Sequence, residues 1–454
     1  MKENREEKMK IAFHTLGCKV NQYETEAMKE QFASAGYEIV GEEDFADVYI
    51  INTCTVTNLA DRKSRQYIRR MKKQAPKAIV AVTGCYAQVK PEELTAMEEV
   101  DIVTGTGEKN TLLGYVEEFR RERQAQCHIK SYDELTTYDD RGIITSMESR
   151  TRAYIKIQEG CNRFCAYCLI PFARGHVRSR NPEEVVEEAK ALIGAGFKEV
   201  ILTGINTALY GTEESFAWPL TEEETASGVS GIEIIIGRIN ALPGDFRIRL
   251  SSLEPTVVNA SYVGRLMQYE KLCPHLHLSI QSGSTNVLRA MNRRYTRDEY
   301  LDIVRVLKER DPGYGITTDI IVGFPGETEA DFMDSVDMVR QVGFNKVHAF
   351  RYSKREGTAA CSMKNQVDGN VKNDRIQKLM EEGERSTLAF FEREAGGVRT
   401  VLFEEWAEEG VLTGYTENYI KVYAPGTSED LNSFQKVRLL EEYKDGMKGE
   451  IING

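Results

Sequence analysis

The chain has 454 residues, 41% hydrophobic and 29% charged, with a formal net charge of −12. At roughly 100–200 residues per domain this length suggests two to four domains, and the acidic balance excludes a uniformly basic nucleic-acid binder while leaving room for local Lys/Arg clusters. No apolar run approaches the ~20 residues of a membrane span, and the N-terminal MKENREEKMKIAF lacks the apolar stretch of a secretory signal, so a soluble cytoplasmic protein is expected.

Over residues 9–123 short apolar runs alternate with helical patterns. KIAFHTLG, DVYIINTC, AIVAVTGC and VDIVTG read as strands, VNQYETEAMKEQFASAG and residues 60–74 as helices, and Pro91 as a first-turn proline. Such alternation predicts a parallel α/β sheet. Residues 124–150, with SYDELTTYDDRG, lack periodicity and read as a linker. Over 151–385 the βα rhythm returns, with strands at AYIKIQEG, KEVILTGIN, FRIRLSSLEP, LHLSIQSGS, TTDIIVGF and KVHAFRYS. Six βα units predict an incomplete (β/α)6 barrel, with its chemistry at the C-terminal strand ends. Over 396–454 apolar and polar residues alternate between Gly-rich turns, as in a small β-barrel.

Nine cysteines, an odd count, favour metal binding or catalysis over a disulfide framework. Cys161, Cys165 and Cys168 are spaced C-x3-C-x2-C in EGCNRFCAYCLIPFARG, directly after the first barrel strand. Zinc usually recruits four ligands in C-x2-C pairs. Three thiolates in one loop suit an iron–sulfur cluster, with zinc or plain loop cysteines as the alternative. The motif resembles the radical S-adenosylmethionine (SAM) superfamily, and Tyr167 matches the aromatic residue usual before the last cysteine. The resemblance implies a [4Fe-4S] cluster whose open iron chelates SAM and whose electron yields a 5′-deoxyadenosyl radical.

Cys18, Cys54 and Cys85 each end a strand-like run, so a parallel sheet would bring them to one edge. Gly17 and Gly84 permit sharp turns there. Three buried structural cysteines are the alternative. HTLGCKVNQYETE, NTCTVT and TGCYAQ resemble the N-terminal domain of the methylthiotransferases, and the last module resembles their TRAM barrel. The resemblance spans nearly the whole chain and implies a second [4Fe-4S] cluster on these cysteines, holding the sulfur to be transferred. Two SAM molecules per turnover and a flavodoxin- or ferredoxin-type reductant are implied with it.

TLGCKVNQYETE and IPFARGHVRSR are most similar to the branch acting on N6-threonylcarbamoyladenosine 37, beside the tRNA anticodon. The isopentenyladenosine branch usually carries a Gln-Met-Asn pattern after the cysteine. That branch, the branch modifying a ribosomal-protein aspartate, and a non-catalytic metal-containing RNA-binding protein are the competing readings. One departure is that Asn206, Ala208 and Leu209 stand where the family commonly has a His and a Gly pair.

No catalytic residue is assigned. Candidates for cofactor contact are the strand-end groups Thr203, Gly204, Ser251, Glu254, Gln281, Ser282 and Gly323. Residues 62–77 hold eight basic residues and no acidic one, a candidate surface for the tRNA anticodon stem-loop. Arg174, Arg178 and Arg180 are expected to approach the anticodon stem. The terminal barrel has six Lys/Arg against eleven Asp/Glu over 396–454, so any RNA contact there must be local. His14 is a possible fourth ligand, although a packed His is the simpler reading. Cys127, Cys273 and Cys361 show no clustering.

Overall fold

The runs VYIINT and IVAVTG form strands buried at every position, as central strands covered on both faces must be. The computed structural model describes residues 8–55, 57–138, 151–256 and 258–452. Its first sheet contains β1 (Lys10–Thr15), β2 (Glu38–Val40), β3 (Val48–Thr53), β4 (Ile79–Gly84), β5 (Ile102–Thr104) and β6 (Gln126–His128). The strands are all parallel, in the order β2-β1-β3-β4-β5-β6. Register aligns Thr15 with Asn52 and Thr53 with Gly84, so β1, β3 and β4 end at one edge.

The sheet corrects the linker expected over 124–150. Gln126–His128 pairs with β5 as the edge strand. Its three residues are too short to show periodicity, which is why the sequence hides it. Beyond it, Leu135 is buried and its carbonyl accepts from Arg178 Nη1 at 2.5 Å. The rest of that stretch, 139–150, lies outside the described residues.

The second body contains β7 (Arg152–Glu159), β8 (Arg178–Ser179), β9 (Glu199–Gly204), β10 (Arg247–Leu250), β11 (His275–His277), β12 (Gly315–Val322) and β13 (Lys346–Arg351). Apart from the two-residue antiparallel β8, these strands run parallel in the order β7-β9-β10-β11-β12-β13. Among the described residues β13 pairs with β12 alone, so the barrel stays open. Ile155, Leu202, Ile248 and Ile320 pack outward against helix residues such as Val185, Ile235, Leu307 and Val339. The expected boundary at 385 falls inside a helix, because Gly369–Glu394 runs unbroken along β13 into the terminal module.

That module is a closed barrel of β14 (Val398–Glu408), β15 (Val411–Thr416), β16 (Lys421–Pro425), β17 (Phe434–Tyr443) and β18 (Gly446–Ile451), closed in the order β14-β15-β16-β18-β17. Among the described residues no helix is long and apolar enough to cross a membrane.

Candidate functional site

The loop carrying Cys161, Cys165 and Cys168 leaves the C-terminal end of β7 and is tied down along its length. Cys161 N donates to Gly175 O at 3.1 Å, Ala166 N to Met291 O at 2.9 Å, and Ala360 N to Ala166 O at 2.7 Å. Burial, with the charge of Cys165 beside them, pushes the Cys161 thiol up to about 11 and the Cys168 thiol to about 12. Three thiols that oppose each other's ionisation become thiolates only around a cationic centre. The donor set therefore fits an iron–sulfur cluster.

Glu254 stands beside this loop. Its carboxylate accepts from Arg163 Nε at 3.0 Å, Arg293 Nη1 at 3.0 Å and Asn206 Nδ2 at 2.7 Å. Arg293 also reaches the Tyr167 hydroxyl at 2.8 Å. Among the described residues, Asn206 Oδ1, Ser251 Oγ and Arg293 Nε are buried without a partner, as the polar lining of a ligand site would be. Asn206, a departure from the family pattern, thus belongs to the site. Arg163 and Arg293 were not singled out from the sequence. Arg163 lies inside the cysteine motif and could have been, but Arg293 carries no local signal.

At the sheet edge, two glycines let the second trio approach. Gly17 has φ +114°, and a Cβ there would lie 2.8 Å from Cys54 Cβ and 3.1 Å from its Sγ. Gly84 has φ +97°, and a Cβ there would lie 2.4 Å from Thr53 O. Burial pushes the Cys85 thiol up; Arg174 and Lys109 oppose this, and the nearby Cys18 adds to it. Among the described residues no three His, Cys, Asp or Glu side chains close into a ready one-ion site. A cubane, whose three cysteines bind three different irons, needs them spread more widely.

A five-residue helix, Ile170–Arg174, links the two trios. It starts two residues after Cys168 and ends at Arg174, whose Nε donates to Cys85 Sγ at 3.1 Å. The same guanidinium meets Glu24 at 2.7 Å, Glu159 at 3.0 Å and Asn21. Lys109 and Lys156 complete this buried network on Glu24 and Glu159.

The expectation that Arg174, Arg178 and Arg180 face the anticodon stem is corrected here. All three are buried, at 0%, 4% and 2% exposure. Arg178 holds Leu135 O, and Arg180 pairs with Glu188. Buried carboxylates and carbonyls at the seam between sheet and barrel use up donors that a sequence pattern assigns to phosphate.

A cavity of about 690 Å³ opens between the three bodies. Gly17, Cys18 and Lys19 line it from the first, Thr203, Gly204 and Ser251 from the strand ends, and Tyr415 and Tyr419 from the terminal barrel. His277 and Asp319, 3.0 Å apart, line it with His348. Burial, with Arg249 and Arg152 nearby, pulls the Lys19 ammonium down to about 8. Of the seven strand-end candidates, Thr203, Gly204 and Ser251 share this cavity, and Glu254 adjoins the cysteine loop. Gln281 and Ser282 are buried at the barrel rim, where Gln281 N donates to Asp319 O at 2.9 Å and Ser282 Oγ lies 3.5 Å from Ser335 Oγ. Gly323 N donates to Glu327 Oε1 at 2.8 Å, and none of these three lines the cavity.

His14 is packed, stacked on Tyr67 at 3.6 Å and 2.8 Å from Glu42. Cys273 is buried and Cys127 exposed. In the basic run, Arg65, Arg69, Arg70 and Lys72 have carboxylate partners. Beside the Cys161 loop, Phe164 and Phe172 are exposed and packed edge to face at 5.9 Å, with Tyr132 at 6.2 Å from Phe164. Phe164 holds a left-handed φ of +48°, a conformation rare for an aromatic residue.

Two family models match the chain: the uncharacterized protein family UPF0004 over residues 10–105 and the radical SAM superfamily over 155–339. A threonylcarbamoyladenosine tRNA methylthiotransferase MtaB of Bacillus subtilis (strain 168) is 43% identical, covering 97% of this chain and 96% of the relative. A tRNA-2-methylthio-N(6)-dimethylallyladenosine synthase of Caldicellulosiruptor saccharolyticus is 34% identical, covering 96% of this chain and 91% of the relative. Among solved structures, the radical SAM methyltransferase TsrM of Kitasatospora setae superposes with TM-score 0.54 at 15% identity, covering 90% of this chain and 81% of that one. That likeness concerns the fold alone.

Proposed function

The chain belongs to the radical SAM methylthiotransferase family, and we propose that it places a methylthio group on C2 of N6-threonylcarbamoyladenosine 37 in tRNA. The observation that carries this reading is the position of Cys18. It lines the same cavity as Thr203, Gly204 and Ser251, which stand at strand ends of the barrel that bears Cys161, Cys165 and Cys168. Sulfur held at the sheet edge and a radical formed at the barrel mouth would thus reach one substrate from two sides.

In this reading Cys161, Cys165 and Cys168 hold one [4Fe-4S] cluster, and Cys18, Cys54 and Cys85 hold a second. A cluster held by the first trio would supply the electron for reductive cleavage of SAM, and one held by the second would seat the sulfur to be transferred. The residues Thr203, Gly204, Ser251 and Glu254, with Arg163, Arg293 and Asn206, orient SAM. Arg174 positions Cys85 and shields it from water. The exposed Phe164 and Phe172 rings offer stacking faces for unpaired anticodon-loop bases. Arg62 and Lys63 offer charge to the phosphates. A flavodoxin- or ferredoxin-type protein supplies electrons, and the reaction takes place in the cytoplasm with the tRNA.

Mass spectrometry of tRNA nucleosides from cells with and without this protein tests the proposal. The 2-methylthio derivative of N6-threonylcarbamoyladenosine should vanish on deletion and return with the wild-type chain but not with Cys161→Ala. Purified Cys54→Ala should still cleave SAM and should yield no methylthio product. Loss of methylthio-isopentenyladenosine instead, or of a methylthio group on ribosomal protein alone, would overturn it.

A further inference from the structure

The cavity wall beside Cys18 carries a cation that the chain itself does not neutralise. Lys19 lines the cavity, and among the described residues its ammonium makes no hydrogen bond or ion pair; its Nζ stands 5.9 Å from the Tyr154 ring centroid. Of the other basic groups of the lining, Lys346 and His348 are exposed to solvent on β13, and the rest are engaged. Arg249 is held by Glu199 at 2.9 and 3.0 Å, Lys421 by Asp445 at 3.1 Å, and His277 by Asp319 at 3.0 Å. Ser251 Oγ and Asn345 Oδ1, on the same lining, are buried and also lack partners.

We propose that the Lys19 ammonium receives the carboxylate of the substrate's N6-substituent and so decides which modified adenosine the cavity accepts. The inference rests on the function proposed above and deepens it. An enclosed ammonium without a counter-charge is costly, and a substrate carboxylate removes that cost. A hydrocarbon substituent would leave the charge unpaired while displacing the water that solvates it. A site built around a polar group rejects analogues lacking that group more strongly than an apolar site rejects an added one. Because Lys19 directly follows Cys18, an anion held there would fix the adenine beside the edge where the sulfur is carried. Asn345 is placed to meet the polar carbamoyl atoms.

The test uses the reconstituted holoenzyme and two anticodon stem-loops. One bears the natural threonyl carboxylate; the other is identical except for a neutral threoninamide. Binding is read by fluorescence anisotropy and turnover by product mass spectrometry. Wild type should bind the carboxylate stem-loop about tenfold or more tightly than the amide, the worth of a charge-assisted contact. Lys19→Gln should bind the two alike, and Lys19→Arg should retain the preference. A wild-type enzyme indifferent to the amide overturns the inference, whatever the variants do. So does a Lys19→Gln protein that keeps the preference, or one that weakens both stem-loops equally. Failure of wild type to methylthiolate the carboxylate stem-loop would instead sink the function on which the inference rests.

Discussion

At the start of β9, the buried Glu199 carboxylate accepts from Arg247 Nε at 2.5 Å and from Arg249 Nε and Nη2 at 2.9 and 3.0 Å. The two guanidiniums pass the contact on, to Tyr415 O at 3.0 Å and to Glu417 O at 3.1 Å in the terminal barrel. Burial alone would raise the Glu199 pKa, but Arg247 and Arg249 outweigh it and hold the carboxyl well below the usual carboxylate range. Since the folded value is depressed, its stabilisation is complete above the unfolded value of about 4.5 and is lost as pH falls toward the folded value. Glu199→Gln should cost about 3–5 kcal/mol at neutral pH, because two buried guanidiniums lose their counter-charge. It should also flatten the acid limb of stability. Denaturant unfolding from pH 7 downward measures both, and an unchanged acid limb would refute the assignment. Nothing in KEVILTG announces this role. It arises from the β9–β10 register, which sets Arg247 opposite Glu199, and register between distant strands is not written in either strand alone.

The helix Asn58–Gln74 was legible because its two faces differ in chemistry: Tyr67, Ile68 and Met71 are buried, and the basic residues turn outward. What the charge run concealed was its own neutralisation. Arg70 lies 2.5 Å from Glu43 and Lys72 lies 2.7 Å from Asp101, carboxylates that come from other parts of the fold. Arg62 and Lys63 are exposed and lack such partners among the described residues. Replacing Arg62 and Lys63 by Gln should therefore weaken tRNA binding and reduce the salt slope of log K by roughly 1.5–2, whereas Arg70→Gln should change it far less. Binding measured across a salt series decides this, and equal slopes for wild type and the double variant would exclude this face. The helix Ile170–Arg174 shows the opposite failure. PFAR reads as a basic tail leading to RNA, yet its arginine is drawn inward by Glu24, Glu159 and Cys85.

Across the whole molecule, strand rhythm and cysteine placement were enough to read three bodies and their order. Strand ends alone also placed Cys18, Cys54 and Cys85 at one edge. The seams were not legible, because they are made by pairs far apart in the chain, such as Glu24 with Arg174 and Arg249 with Glu417. Those seams enclose the cavity that Cys18 and Lys19 enter. The proposed reaction depends on two separate trios of thiols, each able to hold its own cluster. Iron and sulfide content after anaerobic reconstitution tests this most directly. The wild-type chain should bind about eight irons, and the protein with Cys18, Cys54 and Cys85 all replaced by Ala about four, still able to cleave SAM. About four irons in the wild type, or about eight in the triple variant, would contradict it.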